Sequence, residues 1–514
     1  MGLKLYNTLT RQKEAFESLE TGKVKMYCCG VTVYDYCHLG HARSYIVWDT
    51  VRRYLQWCGY EVRYIQNFTD IDDKILNRAR LEKSSMEAVA ERYTAAYFED
   101  MERLNILEAD AYPRATHTLD GIKRLIADLE QRGYAYPAAG DVYYAVRQFS
   151  DYGKLSGRKL DDMKVGASGR LEVAVAANEA ERPQNESPKK RDPFDFALWK
   201  GAKPGEPAWD SPWGKGRPGW HIECSAMLQE YLGETIDIHV GGGDLVFPHH
   251  ENEIAQSEAA TGHPLACYWL HNGMVNVGGE KMSKSLGNFT TIRQLLDAPN
   301  GPDPMAIRLF VLQAQYRKPL DFTQDAIAAA QNSWKTLKEG LLFGNQFGRQ
   351  LGWSDRDDVG FDDPAAMRIP DSEAAVQQFQ VAMNDDFNSA SGLAILFELA
   401  KDLRRAGNLL VHQGTADIDS QCLRQQWKIL VSLANVLGLA VSAQDKAAVE
   451  TETTDNDTGN GDLAAAQIET LIQQRQDARK VKNFAEADRI RDELKAQSIT
   501  LIDQPGGSTR WHRN

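Results

Sequence analysis

His38-Leu39-Gly40-His41 places two imidazoles three residues apart beside a glycine, and Lys281-Met282-Ser283-Lys284-Ser285 places two ammonium groups among hydroxyls. The first string lies at a loop-to-helix junction. Free backbone N–H groups and the positive end of the helix dipole attract an anion there. Imidazoles at that point can donate to phosphate oxygens as charge develops at phosphorus, and Gly40 permits close backbone approach. In the second string, flanked by Gly278, Gly279 and Gly287, Lys281 and Lys284 can neutralise a leaving pyrophosphate while Ser283 and Ser285 add hydrogen bonds. Each string also has a plainer reading, as a polar surface turn or a solvated basic turn. Together they describe a site that grips ATP from two sides and directs attack at its α-phosphate. His38, His41, Lys281 and Lys284 are then the catalytic groups, with Gly40, His41, Lys281, Ser283 and Lys284 as nucleotide contacts.

A second constellation suits a metal. Pro248-His249-His250-Glu251-Asn252-Glu253 reads as a helix start with proline in its first turn. His249 and Glu253 are four apart, so they project from one face and supply half of a tetrahedral zinc site. Cys224, in Trp220-His221-Ile222-Glu223-Cys224, and Cys29, at the end of a strand, are candidates for the thiolate half. Local spacing leaves buried structural cysteines as the alternative, and Cys28, Cys37 and His250 as competing ligands. The seven cysteines are too sparse and odd in number for a disulfide framework, which favours metal ligation or burial. Gly214-x-Gly216-x-x-Gly219 matches the dinucleotide pattern, but no strand precedes it and Pro218 interrupts it. There is no G-x-x-x-x-G-K-[ST] string, which excludes a Walker-type nucleotide site.

The elements that must position these residues follow from periodicity. Lys23–Val33 reads as a strand and Tyr34–Gly40 as a loop. A helix follows with Trp48, Val51, Leu55 and Cys58 on one face, closed by Gly59, and Glu61–Phe68 is a second strand. A βαβ unit implies a parallel sheet whose ligands bind beyond the carboxyl ends of the strands, where the His38–His41 loop lies. Residues 113–218 mix helix with loop, and Gly166–Pro193 is a polar surface excursion. An α/β pattern returns at Gly219. From Ala326 to Ala443 the pattern is helical, clearest over Ala390–Leu410. Thr451–Asp462 reads as a polar linker, followed by helices at Ile468–Val481 and Ala485–Ala496 and a strand at Ile499–Ile502.

With 514 residues the chain exceeds one ordinary core, and no run of about 18 apolar residues marks a membrane span. Met1–Phe16 lacks the features of a signal peptide, so a cytoplasmic location is expected, with no membrane partner. A net charge of −13 disfavours nucleic acid globally, yet Leu463–Asn514 carries nine Lys/Arg against seven Asp/Glu and is a local candidate for such contact. Nothing demands a dimer, and a monomer is expected.

These strings resemble the class I aminoacyl-tRNA synthetases, and within them the cysteinyl family. His38–His41 corresponds to the "HIGH" signature with Leu39 for isoleucine, and Lys281–Ser285 is identical to the second signature. More diagnostic are Tyr27-Cys28-Cys29-Gly30-Val31-Thr32-Val33-Tyr34-Asp35, Thr69-Asp70-Ile71-Asp72-Asp73-Lys74, Gly219–Met227 and Phe247–Glu253. The likeness extends over nearly the whole chain, through Ala478-Arg479-Lys480 to Thr509-Arg510-Trp511.

The resemblance implies an α/β fold: a Rossmann-type parallel-sheet catalytic domain with a connective insertion, then an α-helical bundle and a small C-terminal α+β tail. The corresponding divisions are 1–112 and 219–280 for the catalytic halves, 113–218 for the insertion, and 281–325 for the basic loop and stem-contact region. A tRNA-docking bundle at 326–445, a linker at 446–462 and an anticodon module at 463–514 complete the chain. It further implies one zinc ion on Cys29, Cys224, His249 and Glu253, ATP with Mg²⁺, L-cysteine and tRNA(Cys) as partners, and esterification of the terminal 2′-OH. Trp220 would close over the amino acid, Asp244 would hold its ammonium, and Arg510, Trp511 and Arg513 would meet anticodon bases. Zinc prefers thiolate and lowers a thiol pKa, so it can separate cysteine from serine. Two departures bear on the amino-acid pocket: Val240 stands where the family usually has glycine, and Gly243 where a larger residue is frequent. Two rival readings are an ATP-dependent cysteine ligase acting on a small amine, which would not need the C-terminal helical region and basic tail, and a non-catalytic zinc/RNA-binding module, against which the intact strings at 38–41 and 281–285 argue.

Overall fold

The computed structural model describes residues 2–162, 190–282, 289–353, 374–455, 465–481, 483–497, 499–503 and 509–513. The chain forms two compact units. The first is Met1–Trp334 with Asp363–Leu393 and Asn435–Leu439; the second is Lys335–Asp362, Ala394–Ala434 and Ala440–Asn514.

The first unit is built on four parallel strands: β1 (Lys23–Cys28), β2 (Glu61–Gln66), β3 (Ile236–Gly242) and β4 (Ala266–Asn272), in the order β4-β3-β1-β2. Helix α1 (Leu39–Trp57) crosses from β1 to β2. Helix α2 (Trp220–Leu232) precedes β3, and α3 (Glu251–Thr261) crosses from β3 to β4. The two βαβ halves run outward from the β1–β3 pair. The crevice at the carboxyl ends of those two strands is therefore the natural ligand site.

Met26, Tyr27 and Cys28 are all buried on β1, as a strand covered on both faces requires. β1 is shorter than the sequence pattern suggests, because the chain bends at Cys29-Gly30. A Cβ on Gly30 would lie 1.6 Å from the Asn67 carbonyl oxygen, so only glycine fits that bend. Pairing resumes beyond it, with Val33 N–H donating to Thr69 O at 3.2 Å. On α1 the expected stripe Trp48, Val51 and Leu55 is buried; Cys58 is the C-cap, and Gly59 follows it with φ +94°.

The insertion differs from the helix-and-loop expectation. Ala135–Ala138, Asp141–Tyr144, Phe196–Gly201 and Gly216–Pro218 form a four-stranded antiparallel sheet. Leu125, Ile126 and Leu129 of helix Leu119–Gln131 pack with Tyr144, Leu198 and Trp199 of this sheet and with Ile222 of α2. The dinucleotide-like glycines serve the sheet. A Cβ on Gly216 would lie 2.3 Å from Lys200 O, and one on Gly219 would lie 2.0 Å from Ala197 O. Most of the Gly166–Pro193 excursion lies outside the described residues.

A buried ionic network ties α1 to helix Pro304–Leu312. Arg308 is fully buried and donates to Leu437 O at 2.7 Å, to Leu104 O and Asn105 O at 3.0 Å each, and to Asp49. Asp49 also accepts from Arg53 at 2.8 Å. Burial pulls Arg308 down only to about 10, so it stays charged at neutral pH. Arg308→Met leaves Asp49 and three carbonyls under-paired in the interior. We expect a loss of about 3–5 kcal/mol, read as a lower urea midpoint for the variant.

In the second unit, the segment read as a linker begins instead as a helix, Ala443–Asp455. Its start is a reciprocal cap, with Ser442 N–H donating to Asp445 Oδ2 at 3.2 Å and Asp445 N–H to Ser442 Oγ at 3.1 Å, the S-x-x-D pattern of a helix start. Helices Ala465–Lys480 and Phe484–Ala496 are followed by a hairpin of Ile499–Asp503 and Thr509–Arg513, whose second strand the sequence did not suggest. Ile468, Ile472, Ile490, Leu494 and Ile499 form their small core. Among the described residues no helix is long and apolar enough to cross a membrane.

Candidate active site and metal centre

His38 is the N-cap of α1. Its Nδ1 accepts from Gly40 N–H at 3.0 Å and His41 N–H at 3.4 Å, while His41 Nδ1 accepts from His38 N–H at 3.3 Å. The two rings stack with centroids 3.7 Å apart. An imidazole that accepts at Nδ1 carries its proton on Nε2. The reciprocal cap therefore sets both tautomers, with the proton of each ring on Nε2 at the positive end of α1. Gly40 is required by this arrangement, since a Cβ there would lie 2.7 Å from His38 Cε1 and 2.9 Å from its Nδ1.

Met282, the second residue of the basic string, lies beside this cap. Lys281 ends the short strand Glu280–Lys281, which pairs with Val275–Val277. Met282 Cε lies 3.6 Å from where a Gly40 Cβ would stand. Ser283, Lys284 and Ser285 lie outside the described residues, as does the Lys281 side chain.

Cys29, Cys224, His249 and Glu253 converge from four segments. Cys29 follows β1, Cys224 is on the first turns of α2, His249 is on the turn before α3, and Glu253 is in the first turn of α3. The helix thus begins at Glu251, later than expected, and His249 reaches Glu253 from outside it. Donor atoms of all four lie within 4.8 Å of one another, and all four residues are buried. Cys29 Sγ is 3.9 Å from Cys224 Sγ and 3.2 Å from Glu253 Oε1, and His249 Nε2 is 2.9 Å from the same carboxylate oxygen.

Electrostatics show what this cluster favours. A hydrogen bond from Cys29 and the nearby His249 bring the Cys224 thiol down to about 7, against the effect of burial. Burial pushes Cys29 well above the ordinary thiol range. Burial alone would raise Glu253 and lower His249. His239 and His249 instead hold the carboxyl well below its usual range, and Glu253 with Cys224 lifts His249 to about 10. Glu253 and Cys224 thus draw a proton onto the buried His249, and a cation can take that proton's place. Two sulfurs, one nitrogen and one oxygen at this spacing fit zinc.

Cys29, His239, His250 and Glu253 form a second set of buried groups at metal-binding distances. It offers one sulfur rather than two, and His250 Nδ1 already meets His271 Nε2 at 2.8 Å, so the two-thiol set is the better zinc site. Of the other expected competitors, neither Cys28 nor Cys37 joins either set.

Several supporting residues carry no local sequence signal. His239 Nε2 meets Glu253 Oε2 at 2.8 Å and fixes which oxygen faces the thiols. His221 Nδ1 meets His249 Nδ1 at 2.9 Å. Asn67 Oδ1 accepts from Gly30 N–H at 2.9 Å and lies 3.8 Å from Cys224 Sγ. Trp220 is half-buried and stacks on His249, centroids 4.1 Å apart. Asp244 is half-buried in the turn after β3, while Val240 is fully buried between Cys28 and Leu270 in the sheet. Gly243 N–H donates to Asn272 O at 2.8 Å. Trp511 packs on the small C-terminal core and donates to Glu469 Oε1 at 3.2 Å; the side chains of Arg510 and Arg513 lie outside the described ones.

A four-stranded parallel sheet whose first crossover helix opens on the two histidines is the class I aminoacyl-tRNA synthetase fold. Residues 15–332 match the class I (C) tRNA synthetase catalytic domain, and residues 378–441 match the DALR domain. The chain is 67% identical over 517 residues to a cysteine–tRNA ligase of Gloeothece citriformis, and 65% identical over 513 residues to one of Synechococcus elongatus, covering 100% of both chains in each case. The chain belongs to the cysteine–tRNA ligase family. Its fold is also similar to a methionyl-tRNA synthetase of Mycobacterium tuberculosis bound by methionyl-adenylate, with a TM-score of 0.54 and 14% identity, covering 83% of this chain and 96% of that one.

Proposed function

We propose that the protein activates L-cysteine with ATP and esterifies the 3′ end of tRNA(Cys), with a zinc ion on Cys29, Cys224, His249 and Glu253 selecting the substrate thiol. The observation that carries this reading is the position of the cluster. Cys29 leaves the carboxyl end of β1, and nine residues later the same chain caps α1 with His38. One βα junction thus serves both the thiol and the nucleotide.

When bound, the zinc ion would coordinate the substrate sulfur and stabilise it as thiolate. The chain's residues do the rest. Trp220, stacked on His249, would cover the amino-acid pocket, and Asp244 would hold the substrate ammonium. The cysteine carboxylate would attack the α-phosphate of ATP in line, with Mg²⁺ accompanying the nucleotide. His38 and His41 would donate from Nε2 to the phosphate oxygens as negative charge builds there. Lys281, Ser283 and Lys284 would hold the departing pyrophosphate, and the terminal 2′-OH of the tRNA would then attack the acyl carbon of the adenylate, breaking the acyl–phosphate bond, releasing AMP and losing its proton.

Cysteine-dependent exchange of labelled pyrophosphate into ATP tests the first half-reaction. Exchange with cysteine and none with serine or methionine is the expected result. Exchange with either of those and not with cysteine would overturn the assignment.

A further inference from the structure

The chain that follows the basic string is bound to the His38 loop along its backbone. Ile292 N–H donates to Cys37 O at 2.9 Å, Leu39 N–H donates to Thr290 O at 3.3 Å, and His38 and Thr291 face one another as an antiparallel pair. The Phe289 ring stands edge-on to the His38 ring with centroids 5.0 Å apart. These contacts restrain His38 only if the Phe289–Ile292 segment is itself restrained. The helix it leads into, Ile292–Leu296, has five residues, too few to be stable alone. The Thr291–Gln294 capping box closes only that helix's own first turn.

Arg293 supplies the missing anchor. Its Nη2 donates to Ala96 O at 2.9 Å and to Glu99 Oε2 at 2.6 Å, and its Nε lies 2.9 Å from Asp100 Oδ1. Ala96, Glu99 and the ion-pair partner Asp100 are all on helix Met86–Arg103, and Asp100 is 1% exposed. The same guanidinium lies over the Tyr36 ring, 5.1 Å from its centroid, and Tyr36 is two residues before His38. Arg103 Nη2 pairs with Asp297 Oδ1 at 2.7 Å at the other end of the short helix. Arg293 therefore reaches the His38 loop by two routes, through Tyr36 directly and through Thr291 along the chain. Two acceptors, a buried ion-pair partner and a ring face together suit a planar guanidinium and do not suit the point charge of lysine.

We propose that Arg293 is a positioning residue for the adenylation step: it clamps the Phe289–Ile292 segment to helix Met86–Arg103 and so holds the His38 ring in its cap, with Nε2 aimed at the phosphate. The proposal rests on the reading above in which His38 acts on ATP.

Arg293→Gln, with Arg293→Lys as the conservative control, tests it in two measurements. In pyrophosphate exchange, kcat of the glutamine variant is expected to fall about 10- to 100-fold, the size of effect that a displaced catalytic group gives. The lysine variant should fall less, and both should keep the wild-type zinc content and KM for cysteine. In ¹⁵N-histidine spectra the His38 resonance, identified by its loss in His38→Ala, should show the Nε2–H tautomer in the wild type and tautomer averaging in Arg293→Gln. An unchanged His38 resonance in Arg293→Gln overturns the proposal whatever the rate does. A fall in kcat accompanied by zinc loss and a raised KM for cysteine also overturns it, since that marks a general structural defect. If the resonance averages but neither Arg293→Gln nor His38→Ala lowers kcat, the clamp stands and the catalytic reading of His38 falls.

Discussion

Cys224→Ser is expected to empty the cluster of zinc and to reduce discrimination between cysteine and serine to about 100-fold or less. The exchange is close to isosteric, and Cys224 sits inside α2 in a core cluster with the buried Met227 and Leu228, so the fold should survive. What changes is the donor. The thiol of Cys224 is already brought down to about 7 by Cys29 and His249, and a serine hydroxyl in its place stays protonated. The cluster then offers one sulfur, one imidazole and one carboxylate, a harder and less anionic set with weaker hold on zinc. A pocket that relies on shape separates a thiol from a hydroxyl by a factor of roughly 10², whereas a site that bonds the distinguishing group reaches roughly 10⁴–10⁵. Metal analysis and exchange rates with each amino acid check both halves. Full zinc content in Cys224→Ser would remove that residue from the site, and undiminished discrimination despite zinc loss would remove the metal from selectivity.

The parts of this architecture that the sequence revealed are those with strong local periodicity. Trp48, Val51 and Leu55 mark one face of α1 at helical spacing, and the strands on either side complete a βαβ unit that admits few arrangements. The insertion sheet was hidden because its strands are three to six residues long and carry Pro137, Pro218, Gly201 and Gly216, which erase the period-two pattern. The helix Ala443–Asp455 was hidden by its polar composition, although its Ser442–Asp445 cap was present to be read.

The cluster divides in the same way. His249 and Glu253 are four apart and could be paired from spacing, but Cys29 and Cys224 lie 195 positions apart and meet only through the β1–β3 pairing. The resemblance supplied the choice of Cys29 over Cys28, and spacing did not. In the fold Cys28 is the last residue of β1, opposite Val240, while Cys29 sits on the bend that Gly30 permits. His239 was not legible at all: nothing near it in sequence says that its Nε2 will meet Glu253. Contacts that depend on register between distant strands leave no mark on the segments that make them.

Gly40→Ala is expected to lower kcat for pyrophosphate exchange by about 10²–10³-fold, the range for removing a preorganised donor from developing charge. Zinc content and KM for cysteine should be unchanged. The added methyl would sit 2.7 Å from His38 Cε1, and the nearest atoms it meets belong to the His38 side chain, not to backbone. The ring can therefore rotate away, and the fold gives locally. In doing so it leaves the stack with His41 and releases Gly40 N–H and His41 N–H from Nδ1. Losing one N-cap costs about 1 kcal/mol, so the melting temperature should move little. The rate should move much more, because the cap and the catalytic orientation are one arrangement: Nδ1 accepts from the helix and thereby keeps the proton on Nε2. A variant with normal kcat would show that the capped rotamer is dispensable for catalysis. A large fall in melting temperature would show that the methyl disturbs more than the ring.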